Sequence, residues 1–291
     1  MSKKLGPDKS GYLFVLPYVI FFCLFIVYPF GLGTVMGFCQ WDILGSHQVF
    51  IGLDNYIRQF RDPEMHQALF NTILYMVISV PGRVVLSLAA ALLLNMAIRG
   101  RGIFRMLYFM PMVTSSAIIA LIWTWLYSTE GGLLNSLLLR MGFDKIGWLT
   151  DPNWAMPSIA FMKIWQRVGY FMIMFLATLQ TIPRPLYEAA QIDGANKWQR
   201  FWYITFPLLN PGIILITILS TIWAFQLFVE PFLMTGGGPL SSTLTLVMHL
   251  YNMAFIYFDM GYAASIGITL GVIVLAISLI ERKLLGREIG Y

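Results

Sequence analysis

Four ionisable residues lie inside stretches that are otherwise apolar: Arg83, Lys163, Arg167 and Glu230. A charge within hydrocarbon is costly, so each of these positions is a candidate for function. Lys163 and Arg167 are four residues apart and share one face of a helix. Trp165, Gln166, Tyr170 and Phe171 surround them. Such a set suits binding rather than turnover, because aromatic faces stack on the CH groups of a sugar ring while polar edges supply hydrogen bonds. Three cations stand against one acid. Each must be paired, hydrated or able to reach an interface with its charged tip, and Arg83, in mid-segment, cannot easily reach one.

Nothing in the chain matches a catalytic constellation. There is no GxxxxGK[ST] phosphate loop, so the chain is not expected to bind and hydrolyse ATP. The glycine-rich run Thr235-Gly236-Gly237-Gly238-Pro239 lacks the lysine and reads as a turn. His47, His66 and His249 are scattered, which argues against a metal site. Cys23 and Cys39 lie in or beside the first apolar segment, where a disulfide framework is not expected. No triad or paired-carboxylate site is evident, and the chain is not expected to be an enzyme.

The elements that position these groups must be membrane helices. Of 291 residues, 58% are hydrophobic and 11% charged, with a net charge of +5. Soluble domains carry about a quarter charged residues. The basic residues sit in short clusters at segment ends, which is not a nucleic-acid signal. Roughly 20 apolar residues cross a bilayer as a helix. Six segments qualify, at about 12–38, 70–97, 104–127, 157–180, 208–230 and 262–281. Prolines 17, 29, 81 and 111 predict local kinks. The shorter stretch Leu244–Phe258 reads as an interfacial or re-entrant helix. The N-terminal run lacks a small-residue cleavage site and reads as a retained helix.

Basic residues orient the spans. Lys3, Lys4, Lys9, Arg99, Arg101, Arg105, Arg184, Lys197, Arg200, Arg282, Lys283 and Arg287 fall on one side, against Arg58, Arg61, Arg140 and Lys145 on the other. This places both termini and the loop 181–207 in the cytosol, and the loops 39–69, 128–156 and 231–261 outside. The whole chain, 1–291, reads as one transmembrane domain without a soluble domain or clear repeat.

The loop 181–207 is a polar island with a structure of its own. Pro183 and Pro185 stop the fourth span, and Leu186 to Ile192 can form a short helix. Gly194 supplies a turn at positive φ. Lys197 to Thr205 can form a second helix bearing Trp198, Phe201, Trp202 and Ile204, and Pro207 and Pro211 open the next span. From these residues alone, a helix-turn-helix lying on the membrane surface is as good a reading as a docking element.

The run Glu188-Ala189-Ala190, three residues, Gly194, nine residues, Ile204, one residue and Phe206-Pro207 resembles the EAA motif of ABC importer permeases. Phe206 departs from the usual leucine. The longer form, EAAxIDGAxxWQxFxxITxPLLxP, resembles the maltose and glycerol-phosphate type of sugar permease. Trp165, the Leu179–Pro183 run, Thr235–Pro239 and Phe258–Ala263 fit as well, so the resemblance covers essentially the whole chain.

The resemblance implies an all-α, polytopic type I importer permease fold with six spans in a bacterial inner membrane. It implies a sugar or oligosaccharide importer working by alternating access, with ATP and magnesium bound by two partner ATPase subunits and no cofactor in this chain. The other partners implied are a second, related permease and an extracellular solute-binding protein, with Thr235–Pro239 near its docking surface. Glu188, Ala189, Ala190 and Gly194 would form the ATPase-coupling contact. Asp193 stands either with them or as a local turn cap. The substrate path would run along Met112, Ser116, Arg167, Tyr170, Ser220 and Trp223, with Trp165 and Gln226 added. Arg167 replaces a residue that is small in the maltose permease, which speaks against a simple maltose pocket. Lys163 is open to an outer-interface position and Arg83 to pairing with the second permease.

An anionic cargo, a uronate oligosaccharide or a glycerol phosphate, is an alternative. A stand-alone secondary transporter is another; it predicts charged pairs within the spans and no need for partners.

Overall fold

The computed structural model describes residues 10–42, 48–96 and 100–286. His47, Lys3, Lys4, Lys9, Arg99 and Arg287, used above, lie outside the described residues. In chain order the elements are α1 (Ser10–Phe22), a π-helical turn (Cys23–Val27), α2 (Tyr28–Gly37), β1 (Cys39–Trp41), β2 (Gln48–Phe50), α3 (Asp54–Gln59), α4 (Pro63–Asn95), α5 (Arg101–Val113), α6 (Ser116–Leu126), α7 (Leu133–Arg140), α8 (Pro152–Gln180), α9 (Arg184–Ile192) and α10 (Lys197–Arg200). A second π-helical turn (Phe201–Thr205) leads into α11 (Phe206–Leu208), α12 (Asn210–Phe225), α13 (Val229–Met234) and α14 (Leu246–Tyr251), and a third (Asn252–Ile256) precedes α15 (Met260–Leu285).

Four helical stretches are long and apolar enough to cross a membrane alone: Phe14–Gly37, Pro63–Asn95, Pro152–Gln180 and Met260–Leu285. Two bent pairs make six if each pair is one span. The span expected at 104–127 breaks after Val113, and its halves α5 and α6 are bent by 96°. That is far more than a local kink at Pro111. Pro111 withholds an N–H, and Thr114 at the break is extended (ψ 140°). The span expected at 208–230 begins earlier, within Lys197–Leu208, is bent by 61° and ends at Phe225. By contrast, α4 runs without a break through Pro81, and begins at Pro63 rather than near residue 70. Leu246–Ile256, at about 1.5 Å per residue, is too short to span.

The two longest helices start in the same way. The side chains of Asp62 and Asp151 accept from the backbone N–H of Glu64 (2.9 Å) and Asn153 (2.8 Å), with proline at the next position. The cap fills an orphan donor and the proline has no donor to leave unfilled.

The chain divides into two compact units. One comprises the described residues up to Arg61 with Leu250–Thr269; the other comprises Asp62–His249 with the residues from Leu270 on. In the first unit, none of the apolar window of Phe14–Gly37 is buried. The strands pair antiparallel, Gln40 opposite Val49. Buried Asn55 donates to the carbonyls of Gly37 (3.1 Å) and Cys39 (3.0 Å), which closes the end of α2. Arg58 pairs with Asp259 at 2.5 Å and lies over the Tyr262 ring. Gln59 donates to Ser265 and accepts from Thr269. Cys23 and Cys39 are both free.

In the second unit, α4 and α8 pack along their length. One apolar cluster joins Ala90, Ala91 and Leu94 to Ile164, Val168, Phe171 and Phe175. Another joins Tyr75 and Val80 to Ile119, Ala120, Ile159 and Ala160. Small residues permit close crossings: a Cβ on Gly169 would lie 1.8 Å from the Tyr108 carbonyl oxygen, so only glycine fits where α8 meets α5.

Candidate functional site

The second unit holds a cavity of about 320 Å³ lined by Arg83, Ser116, Lys163, Arg167, Trp223, Gln226, Leu227, Phe228, Val229 and Glu230. It forms where two helical discontinuities meet two unbroken helices. The break before α6 puts Ser116 at the start of that helix. The end of α12 at Phe225 lets the chain turn through Gln226–Phe228 before α13 presents Glu230. Unbroken α4 and α8 supply Arg83, Lys163 and Arg167.

The polar groups form one network. Lys163 Nζ donates to Glu230 Oε1, to Gln166 Oε1 at 2.9 Å and to Ser116 Oγ at 3.2 Å. Lys163 and Glu230 are 7% and 3% exposed, so they form a buried pair. Arg83 is 1% exposed. It donates to the Tyr75 hydroxyl at 2.5 Å and to the Ser220 carbonyl at 3.1 Å. Both of these hydrogen bonds lie within this chain. Its Nε is buried without a partner. Arg167 lies 4.6 Å over the Trp223 ring, with Nη1 2.7 Å from Met112 Sδ. The Tyr170 and Phe171 rings brace Trp223 at 5.2 and 5.3 Å.

Of the path residues expected from sequence, Ser116, Arg167, Trp223 and Gln226 line the cavity. Met112, Tyr170 and Ser220 stand behind it, against Arg167, Trp223 and Arg83 respectively. Trp165 points elsewhere: it packs 5.4 Å from Trp123 and lines an apolar crevice with Leu86, Tyr108 and Phe161. A helix turns about 100° per residue, so Trp165 cannot share the face of both Lys163 and Arg167. Leu227, Phe228 and Val229 were not foreseen. The one signal for them is that the apolar run after Trp223 ends at Gln226, with Pro231 close behind.

The loop 181–207 has the expected shape. α9 carries Glu188, Ala189 and Ala190, with Glu188 and Ala189 exposed. Gly194 has φ +80°. The N–H of Ala195 donates to the carbonyl of Ala190 (2.8 Å) and that of Gly194 to Gln191 (3.1 Å), a Schellman closure with Asp193 as the C-cap. The turn leads directly into a capping box, in which Asn196 and Gln199 bond each other's backbone N–H at 2.9 and 2.8 Å. Tyr187 Oη and Thr205 Oγ1, 2.9 Å apart, tie the two limbs together. Tyr187 and Ile204 pack on the core. Ile192, Trp198 and Tyr203 remain 87%, 69% and 81% exposed. The loop thus has a rigid, inward-anchored frame and an uncovered apolar and aromatic face.

Residues 83–287 match the family described as binding-protein-dependent transport system inner membrane component. The sulfoquinovosyl glycerol transport system permease protein SmoG of Agrobacterium fabrum is 38% identical, over 91% of this chain and 87% of its own. The lactose transport system permease protein LacF of Rhizobium radiobacter is 38% identical, over 96% and 95%. A chain of a crystal structure of a bacterial ABC transporter involved in the import of the acidic polysaccharide alginate superposes with a TM-score of 0.84, at 25% identity over 97% of each chain. This chain belongs to the family of inner-membrane components of binding-protein-dependent transport systems.

Proposed function

From that membership we propose that the chain is the permease of an ATP-driven importer in a bacterial inner membrane, taking up a sugar or oligosaccharide handed over by an external binding protein. The carrying observation is the loop 181–207. Its backbone is closed by the Schellman turn at Gly194 and the capping box at Asn196, yet its apolar and aromatic face is uncovered. A loop so ordered is suited to transmit force. An ATPase subunit docking on Glu188, Ala189 and Ala190 supplies the missing cover and the missing phosphate loop. Tyr187 and Ile204 carry its motion to the core around α8 and α12. A second, related permease and two ATPases complete the assembly, and the polar cavity lies on the cargo's path. ATP and magnesium belong to the ATPase subunits.

Carbohydrate relatives support the cargo class, as does a cavity that combines an indole face with amide and hydroxyl edges. The stand-alone transporter gains one point, because Lys163 and Glu230 do form a charged pair. It leaves the ordered, uncovered loop without a purpose. Co-purification decides between the two: the ATPase subunits are retained by the wild type and lost when Glu188 or Gly194 is substituted. ATPase retention with undiminished transport in those variants would overturn the coupling role.

A further inference from the structure

We propose that the cavity takes an anionic group, so that the carbohydrate carried along this path bears a carboxylate or another acidic substituent. This rests on the importer reading above and concerns only the charge of its cargo. Four charged side chains line the cavity. Glu230 neutralises Lys163. The hydrogen-bond partners of Arg83 are the neutral Tyr75 hydroxyl and Ser220 carbonyl, and its Nε, buried in a residue 1% exposed, has none. Arg167 has only the Trp223 face and the Met112 sulfur. Among the described residues, neither guanidinium has a carboxylate within 4.0 Å. Two uncompensated cations therefore converge on one cavity in the membrane-embedded part of the chain, where charge is poorly screened.

A neutral sugar would accept hydrogen bonds from these groups but leave both charges in place. A planar carboxylate matches a guanidinium fork and makes charge-assisted hydrogen bonds about twice as strong as neutral ones. The Trp223 face beside Arg167 then stacks the sugar ring that carries the acid, which links ring recognition to charge recognition. Lys163 is less able to take this part, because its ammonium already has three acceptors in Glu230, Gln166 and Ser116.

The test uses the assembled importer in phosphatidylcholine nanodiscs, without the binding protein. The probes are oligogalacturonates of two to four residues and their methyl esters, which differ in charge but keep the rings. Binding is read from quenching of tryptophan fluorescence. The wild type is expected to bind the acids at least about tenfold more tightly than the esters. The acid affinity should fall steeply with added salt while the ester affinity does not. The preference should vanish in Arg167→Gln and persist in Arg167→Lys, and the salt dependence provides a reading that needs no variant. Equal or tighter ester binding, an unchanged preference in Arg167→Gln, or no saturable binding of either probe would overturn the proposal. If the ATPase subunits still co-purify through Glu188 when the charge preference is absent, only the charge assignment fails. If they never co-purify, the importer reading fails with it.

Discussion

Lys163 and Glu230, 67 positions apart in the chain, form a buried ion pair that joins α8 to α13. The pair fastens the segment after Gln226–Phe228 to the unbroken helix α8, and so sets one wall of the cavity. Removing one partner strands a buried charge, whereas removing both does not. Lys163→Met or Glu230→Gln alone is expected to lower stability by roughly 3–5 kcal/mol. The double variant Lys163→Met/Glu230→Leu should recover most of that loss. Apparent melting temperatures of the purified assembly check this; additive losses would show that the pair is not coupled.

The loop separates coupling from stability. Glu188 is exposed, so Glu188→Ala should change stability by no more than about 0.5 kcal/mol while weakening ATPase retention. Gly194→Ala meets no neighbouring atom but must hold φ +80°. It should therefore cost about 1–2 kcal/mol of loop order, with the same loss of retention. Pull-down yields measured beside hydrogen exchange of residues 184–205 distinguish the two. A Glu188→Ala variant that unfolds the loop would contradict this division.

At the α5–α8 crossing, Gly169→Ala would drive a methyl group into backbone at 1.8 Å. The helices must separate, at a cost of about 1–3 kcal/mol or more. Gly82→Ala meets only side-chain atoms of Ile164, Cδ1 at 2.6 Å and Cγ1 at 3.3 Å, and the Cδ1 end can swing away. The expected order of melting temperature is wild type, then Gly82→Ala, then Gly169→Ala; the reverse order would mean that α5 is free to move.

Trp165 of α8 and Trp223 of α12 should differ in transport. Trp223→Ala removes the ring that faces the cavity and should lower cargo affinity about two- to twelvefold, equivalent to ~0.5–1.5 kcal/mol of stacking. Trp165→Ala opens only the apolar crevice and should leave uptake within about twofold. Initial uptake rates over a range of cargo concentrations make the comparison, and equal losses would place the path elsewhere.

Much of this was legible from local chemistry. The run Glu188 to Pro211 and the long apolar stretches act through bonds between residues a few positions apart. For that reason the shape of loop 181–207, its positive-φ glycine included, follows from residue order. Span limits were less legible where a cap outweighed hydropathy, as at Asp62, which starts α4 before the apolar run begins.

Hydropathy, capping and charge count are properties of neighbouring residues, and they already call for membrane helices, an ordered polar loop and three cations against one acid within the apolar segments. How those cations are used depends on the tertiary fold. Glu230 could have paired with any of Arg83, Lys163 or Arg167, and the choice depends on where the breaks before α6 and after α12 bring the chain back against α8. It went to Lys163, which left both arginines in the cavity wall without a carboxylate within 4.0 Å among the described residues. Such pairings join residues tens to more than a hundred positions apart, and packing geometry rather than local order selects among them.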